Sequence, residues 1–116
     1  MPTLSSFLLG ANSDPLLGHV LLIGAGGTGV EIQKDVSMAH IPFGRDKAEK
    51  MLKSLRCRPL LEGYRGKKGV DIAELLVIIG RLERLLLDLP DIKELDLNPV
   101  IWDGKRFVIA DYRIRV

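Results

Sequence analysis

A chain of 116 residues, 47% of them hydrophobic, is long enough for one modest core and too apolar for a disordered segment. A formal net charge of +2 with dispersed Lys and Arg gives no basic face for nucleic acid, and no apolar run approaches the roughly 18 residues of a membrane-spanning helix. The single cysteine, Cys57, excludes an internal disulfide and has no His or second Cys spaced with it, and Met1 onward lacks a basic, apolar leader, so the expectation is a soluble cytoplasmic protein with no membrane and no nucleic-acid partner.

Met1 to Ser6 carries little pattern. Phe7 to Ala11 is a short apolar run, expected as an edge strand, and Asn12-Ser13-Asp14-Pro15 is a turn cluster. Leu16 to Ile23, LLGHVLLI, predicts a strand buried on both faces, with His19 at its entrance as a structural or surface histidine. Gly24, Gly26 and Gly29 then match G-x-G-x-x-G after a predicted strand. A dinucleotide-binding βαβ unit also needs a helix and a second parallel strand ending in an acidic residue about 20 positions on. Ile41-Pro42-Phe43-Gly44 stands where that strand belongs, and Pro42 opposes a central strand. Val30, Ile32 and Val36 alternate, so Val30 to Ser37 is predicted as a strand, and the dinucleotide module is kept as an alternative.

Arg45 to Leu55 predicts a helix with Ala48, Met51, Leu52 and Leu55 on one face and Gly44 as its cap. Arg56 to Gly69 is a basic, glycine-containing connection, in which Tyr64 to Lys68 fits either an anion or simple solvation. Asp71 and Glu74 resemble a capping box. Ile72, Leu75, Leu76, Ile79, Leu82, Leu86 and Leu89 form a helical stripe ending before Pro90. Leucines at this spacing are core.

The last stretch, Lys93 to Val116, predicts a β-hairpin turning at Asp103-Gly104 with a type I′ geometry. Trp102 would then face Lys105, Asp96 would face Asp111, and Asn98 would face Ile109. Glu94, Asp96 and Asn98 alternate and share one face, joined by Asp111 diagonal to Asn98. Opposed carboxylates repel unless a cation lies between them, and hard oxygen donors suit Mg²⁺ carrying a nucleotide's phosphates. The same alternation fits a solvated polar sheet face. The element order predicts an α+β fold, a mainly antiparallel sheet with two helices packed on one face.

DPLLGHVLLIGAGGTGVEIQKDVS, LLEGYRGKKGVDIAEL, IKELDLNPV and IADYRIRV together resemble the ATP-grasp region of NDP-forming acyl-CoA synthetases, a group that includes ADP-forming acetyl-CoA synthetase beta subunits. The resemblance runs from about Leu8 to Ile114 and covers several blocks in the family's order. It implies the second subdomain of an ATP-grasp fold, with residues 1–116 as a single domain, the C-terminal half of an ATP-grasp domain. It implies that Asn98 and Asp111 hold Mg²⁺ on the phosphates of ATP or another NTP, with Glu94 and Asp96 shaping the field. Gly26, Gly27 and Glu31 match the glycine-rich block, expected near the cleft, and Tyr64, Arg65 and Gly66 match a G-x-R-G block whose role the residues do not reveal.

Departures from the family pattern are also visible. No counterpart is found for the earlier subdomain with its phosphate-clamping lysine and adenine-gripping strand, for the phosphohistidine segment, or for the CoA-binding domains. His19 and His40 do not fall at matching positions, Ala39 stands where an arginine is usual, and Gly44 where threonine usually caps the next helix. The expected function is therefore Mg²⁺ and nucleotide binding within an acyl-CoA (acetyl-CoA) synthetase, linking ATP to acyl phosphate and phosphohistidine, from a fragment or split subunit inactive alone. The expected partners are the N-terminal half of the ATP-grasp domain and a CoA-binding subunit. The alternative is a non-catalytic remnant serving as a structural or interaction module.

Overall fold

The computed structural model describes residues 6–16, 18–25, 35–56, 58–64 and 67–116. In chain order its elements are strands β1 (Ser6–Asp14), β2 (Gly18–Ala25) and β3 (Val36–His40), helices α1 (Gly44–Lys53) and α2 (Arg58–Glu62), the short strands β4 (Gly63–Tyr64) and β5 (Lys67–Lys68), helix α3 (Ile72–Asp88), and strands β6 (Glu94–Trp102), β7 (Phe107–Ile109) and β8 (Tyr112–Arg115). The six-stranded sheet runs β3-β2-β1-β6-β7, with β8 also paired to β6. Every pairing in it is antiparallel.

β1 is a central strand, not the short edge strand expected at Phe7 to Ala11. Its alternation explains this: Phe7, Leu9 and Ala11 are buried on one side, and the strand continues through the expected turn cluster as far as Asp14. β2 is not buried on both faces. His19, Leu21 and Ile23 point into the core, while Val20 and Leu22 are half-buried on the other side. Buried His19 donates its Nε2–H to the Ile92 carbonyl at 2.6 Å and so ties the start of β2 to the segment before β6.

Val36 and Ser37 lie in a strand, as predicted, and it continues to His40; Asp35 of that prediction precedes the strand, and residues 30–34, like Cys57, lie outside the described residues. β3 runs antiparallel to β2, which removes the dinucleotide alternative, because a βαβ unit requires parallel strands. Gly24 has a packing reason to be glycine. A Cβ there would lie 2.7 Å from Val36 Cγ1 and 3.1 Å from the Asp35 carbonyl oxygen.

Helices α1 and α3 cover the buried face of the sheet. Ala48, Met51, Leu52 and Leu55 from the first, and Leu75, Leu76, Ile79, Leu82 and Leu86 from the second, join Phe7, Leu9, Leu21, Ile23, Leu95, Leu97 and Val100 in one core. Both stripes match their predicted periodicity except at the end of α3, where Leu89 follows the helix as its C-cap and is exposed. Asp71 caps α3 by accepting the Glu74 N–H at 3.0 Å. Phe43, rather than Gly44, occupies the N-cap position of α1. Its N–H is accepted by the Glu83 carboxylate of α3, so the cap comes from the neighbouring helix. Arg56 to Gly69 is more structured than a bare connection, containing α2 and the β4–β5 ladder. No helix among the described residues is long and apolar enough to cross a membrane.

Candidate functional site

Among the described residues the helices leave the opposite face of the sheet open, and β6 carries polar residues on it. Leu95 and Leu97 are buried against the helices, so Glu94 and Asp96 project to the open face. The alternation then breaks. Phe7 pairs with Val100 while Leu9 pairs with Leu97, which leaves Asn98 and Pro99 together opposite Leu8. This is a β-bulge, a device that re-aims a side chain. Beyond it the buried position is Val100, and Asn98 is exposed.

The hairpin register differs by two residues from the expected one. Trp102 pairs with Phe107, not with Lys105, because Asp103 to Arg106 form a longer connection than a two-residue turn. The Asp103 carboxylate accepts the N–H groups of Lys105 at 2.8 Å and Arg106 at 2.9 Å, and Asp103 N–H donates to the Arg106 carbonyl at 3.0 Å. Those hydrogen bonds hold the Asp103 carboxyl below its ordinary pKa, Arg106 contributing most. An aromatic pair supports the same register. Trp102 and Phe107 rings lie 4.8 Å apart, and Phe107 meets Phe7 edge-on at 5.9 Å.

The shift changes every polar partnership along β6. Asn98 stands opposite Asp111 rather than Ile109, with Asn98 N–H donating to the Asp111 carbonyl at 3.1 Å. Asp96 stands opposite Arg113 rather than Asp111, and Glu94 opposite Arg115. The expected carboxylate repulsion between Asp96 and Asp111 is thus replaced by alternating charge. Arg115 Nε lies 3.4 Å from Glu94 Oε1. Asp111 is exposed, and its Oδ1 accepts the Tyr112 N–H at 2.8 Å. Among the described residues, no three His, Cys, Asp or Glu side chains are grouped to hold a metal. The hard donors brought directly opposite each other are the two residues Asn98 and Asp111.

Arg113 and Arg115 were absent from the sequence-based site. Their alternation with Tyr112 and Ile114 is a period-2 signal that places both on the face opposite Ile114, and reading it needs the correct register. The other expected site residues, Gly26, Gly27, Glu31 and Arg65, lie outside the described residues, as does Gly66. The base of the glycine-rich segment is described: Ala25 N–H donates to the Asp35 carbonyl at 3.1 Å, and Asp35 Oδ1 accepts the Arg56 N–H at 2.6 Å.

A family model described as an ATP-grasp domain matches residues 1–116. The chain belongs to the ATP-grasp family. Among its relatives, this ATP-grasp chain is 39% identical over 110 residues to the acetate–CoA ligase (ADP-forming) II subunit beta of Pyrococcus furiosus, covering 92% of the chain and 47% of that subunit. It is 40% identical over 109 residues to the 4-hydroxybutyrate–CoA ligase (ADP-forming) of Nitrosopumilus maritimus, covering 92% of the chain and 16% of that protein. In three dimensions it matches a dinucleotide-forming acetyl-coenzyme A synthetase 1 of Ca. Korarchaeum cryptofilum, solved with coenzyme A and Mg-AMPPCP, at a TM-score of 0.87 and 35% identity over 98% of this chain and 54% of that one. The antiparallel sheet with two covering helices is the ATP-grasp subdomain fold of that synthetase. The chain spans about half the length of the subunit beta relative and a smaller share of the longer ligase.

Proposed function

We propose that residues 1–116 are the C-terminal half of the ATP-grasp domain of an NDP-forming acyl-CoA synthetase, in which Asn98 and Asp111 hold Mg²⁺ on the phosphates of ATP or another NTP. The observation that carries this reading is the direct opposition of Asn98 and Asp111 on the open side of the bulged β6. The donors fit the ion. An amide oxygen and a carboxylate are hard ligands, and Mg²⁺ is usually bound by one or two protein oxygens together with waters and phosphates. Among the described residues Asp111 Oδ2 makes no hydrogen bond, while Oδ1 is anchored by Tyr112 N–H, which fixes the carboxylate's orientation.

When bound, Mg²⁺ would supply charge neutralisation for phosphoryl transfer between the nucleotide and acyl phosphate or phosphohistidine. This chain's residues would do the positioning. Alternation with Glu94 and Asp96 sets Asn98 outward, the Asp103 turn sets Asp111 across from it, and the Glu94–Arg115 pair keeps Glu94 from adding a further uncompensated negative charge. The glycine-rich segment with Gly26, Gly27 and Glu31, and Arg65 in its own block, are proposed to border the cleft. The partners are the N-terminal half of the ATP-grasp domain, enclosing the nucleotide, and a CoA-binding subunit.

Titration of the chain with Mg·ATP, followed by amide NMR, tests the site. Shifts should centre on residues 94–98 and 111–115 and should disappear in Asp111→Asn. Shifts that survive Asp111→Asn unchanged would move the site elsewhere. A silent spectrum, in the presence of a first-half partner too, would leave a structural module in place of the nucleotide site.

A further inference from the structure

The open face treats its two arginines differently. Arg115 is engaged by Glu94 at 3.4 Å. Arg113 sits on the same face, opposite Asp96, and is exposed. Among the described residues it makes no ion pair. The sheet shows why. Asp96 is flanked on its other side by Gly10 of β1. A Cβ built at Gly10 would lie 4.0 Å from Asp96 Oδ1. The Asp96 carboxylate thus lies over the Gly10 position of β1, on the side away from β8, and among the described residues it forms no ion pair with Arg113.

We propose that Arg113 is a phosphate-binding residue of the site, its guanidinium meeting the nucleotide's polyphosphate where that group leaves the metal, and that Arg115 is withheld from the role by Glu94. The inference rests on the Asn98–Asp111 reading above. Arg113 lies on β8 two positions after Asp111, which immediately precedes that strand, and is diagonal to Asn98, so their Cα atoms are about 7–8 Å apart. A phosphate oxygen bound to Mg²⁺ sits about 2 Å from the ion. An extended arginine therefore reaches the neighbouring phosphate oxygens, which its planar fork of donors matches bidentately. The recognised chemistry is a polyphosphate, carried by a nucleotide or free.

The test uses the full chain, isotope-labelled, with three probes: Mn²⁺ alone, Mg·ATP and Mg·tripolyphosphate. Mn²⁺ should broaden the Asn98 and Asp111 amides equally in the wild type and in Arg113→Gln. Arg113→Gln should weaken Mg·ATP and Mg·tripolyphosphate alike by about tenfold, the worth of one charge-assisted hydrogen-bonded contact, and Arg113→Lys should weaken them less. Arg115→Gln should weaken either by about twofold at most, as expected for a screened charge already paired. Equal losses in Arg113→Gln and Arg115→Gln would reduce the effect to general field and overturn the assignment. So would a loss for Mg·ATP without one for Mg·tripolyphosphate, which would move Arg113 to the nucleoside. Retained Mn²⁺ broadening with phosphate affinity untouched by Arg113→Gln sinks this inference alone. Absence of Mn²⁺ broadening at Asn98 and Asp111 in the wild type sinks the metal site and this inference together.

Discussion

Asp103 is the side chain on which the alignment of the acidic positions depends. Its carboxylate accepts two backbone N–H groups in the charged form, and its pKa is lowered in the fold, chiefly by the hydrogen bond from Arg106 and next by that from Lys105. A depressed carboxyl contributes stability that is fully present above its unfolded pKa and is lost as pH falls through the folded value. Acid unfolding should therefore show a component below the ordinary value of 3.8, and Asp103→Asn should remove it. A pH–stability profile identical in the two proteins would contradict this. Gly24 gives a second test at this scale. Alanine there meets a stiff β-branched side chain and a backbone oxygen, so Gly24→Ala should cost about 1–3 kcal/mol in a denaturant titration, the usual range for overpacking.

At the scale of elements, α3 shows what sequence can carry. Its stripe from Leu75 to Leu86 and its Asp71 cap follow from period and local chemistry, and both are observed. Ile79→Ala should destabilise by about 2–5 kcal/mol, because the residue is fully buried and its neighbours close only partly over the cavity. Asp71→Ala should cost about 1 kcal/mol, a lost cap and no lost core. Thermal unfolding of the two variants should separate them in that order. The β6–β8 unit shows the limit. The faces from Glu94 to Asn98 were legible from alternation, and a two-residue error in register keeps each of those side chains on its face. The partners were not legible. They depend on one carboxylate gathering two amides, on an aromatic pair, and on the bulge at Asn98-Pro99, none of which a dipeptide turn signal encodes. The position of β1 was missed for a related reason: its partner β6 is far away in the chain, and a central place in a sheet is set by such long-range pairing.

For the whole molecule, the open sheet face governs what the chain can bind alone. Two donors on an exposed surface hold a well-hydrated ion weakly, and ligand sites usually bury most of their ligand in a cleft. The chain alone should bind Mg·ATP in the millimolar range or worse, worth about 4 kcal/mol or less. Calorimetry checks this, and micromolar binding insensitive to Asp111→Asn would contradict both the affinity and the site. Adding the N-terminal half from a relative should raise the affinity by orders of magnitude, and Asp111→Asn should abolish most of that gain.

The bulge on β6 also divides the strand's tolerance to mutation into two codes. Before it, odd-numbered positions face the core, at Leu95 and Leu97; after it, even-numbered ones do, at Val100 and, partly, Trp102. A scan of polar substitutions along the strand should therefore find intolerance at one parity and then, across Asn98 and Pro99, at the other. Deleting a single residue there would match the step from Leu97 to Val100 to that from Leu9 to Phe7, keep Val100 facing the core, and move the mismatch to Ala110 and Asp111 on the other side of the strand. Shortening the strand by one residue at this point should thus spare the core while taking Asp111 out of step with Asn98, so the length of β6 here bears on the candidate site more than on stability.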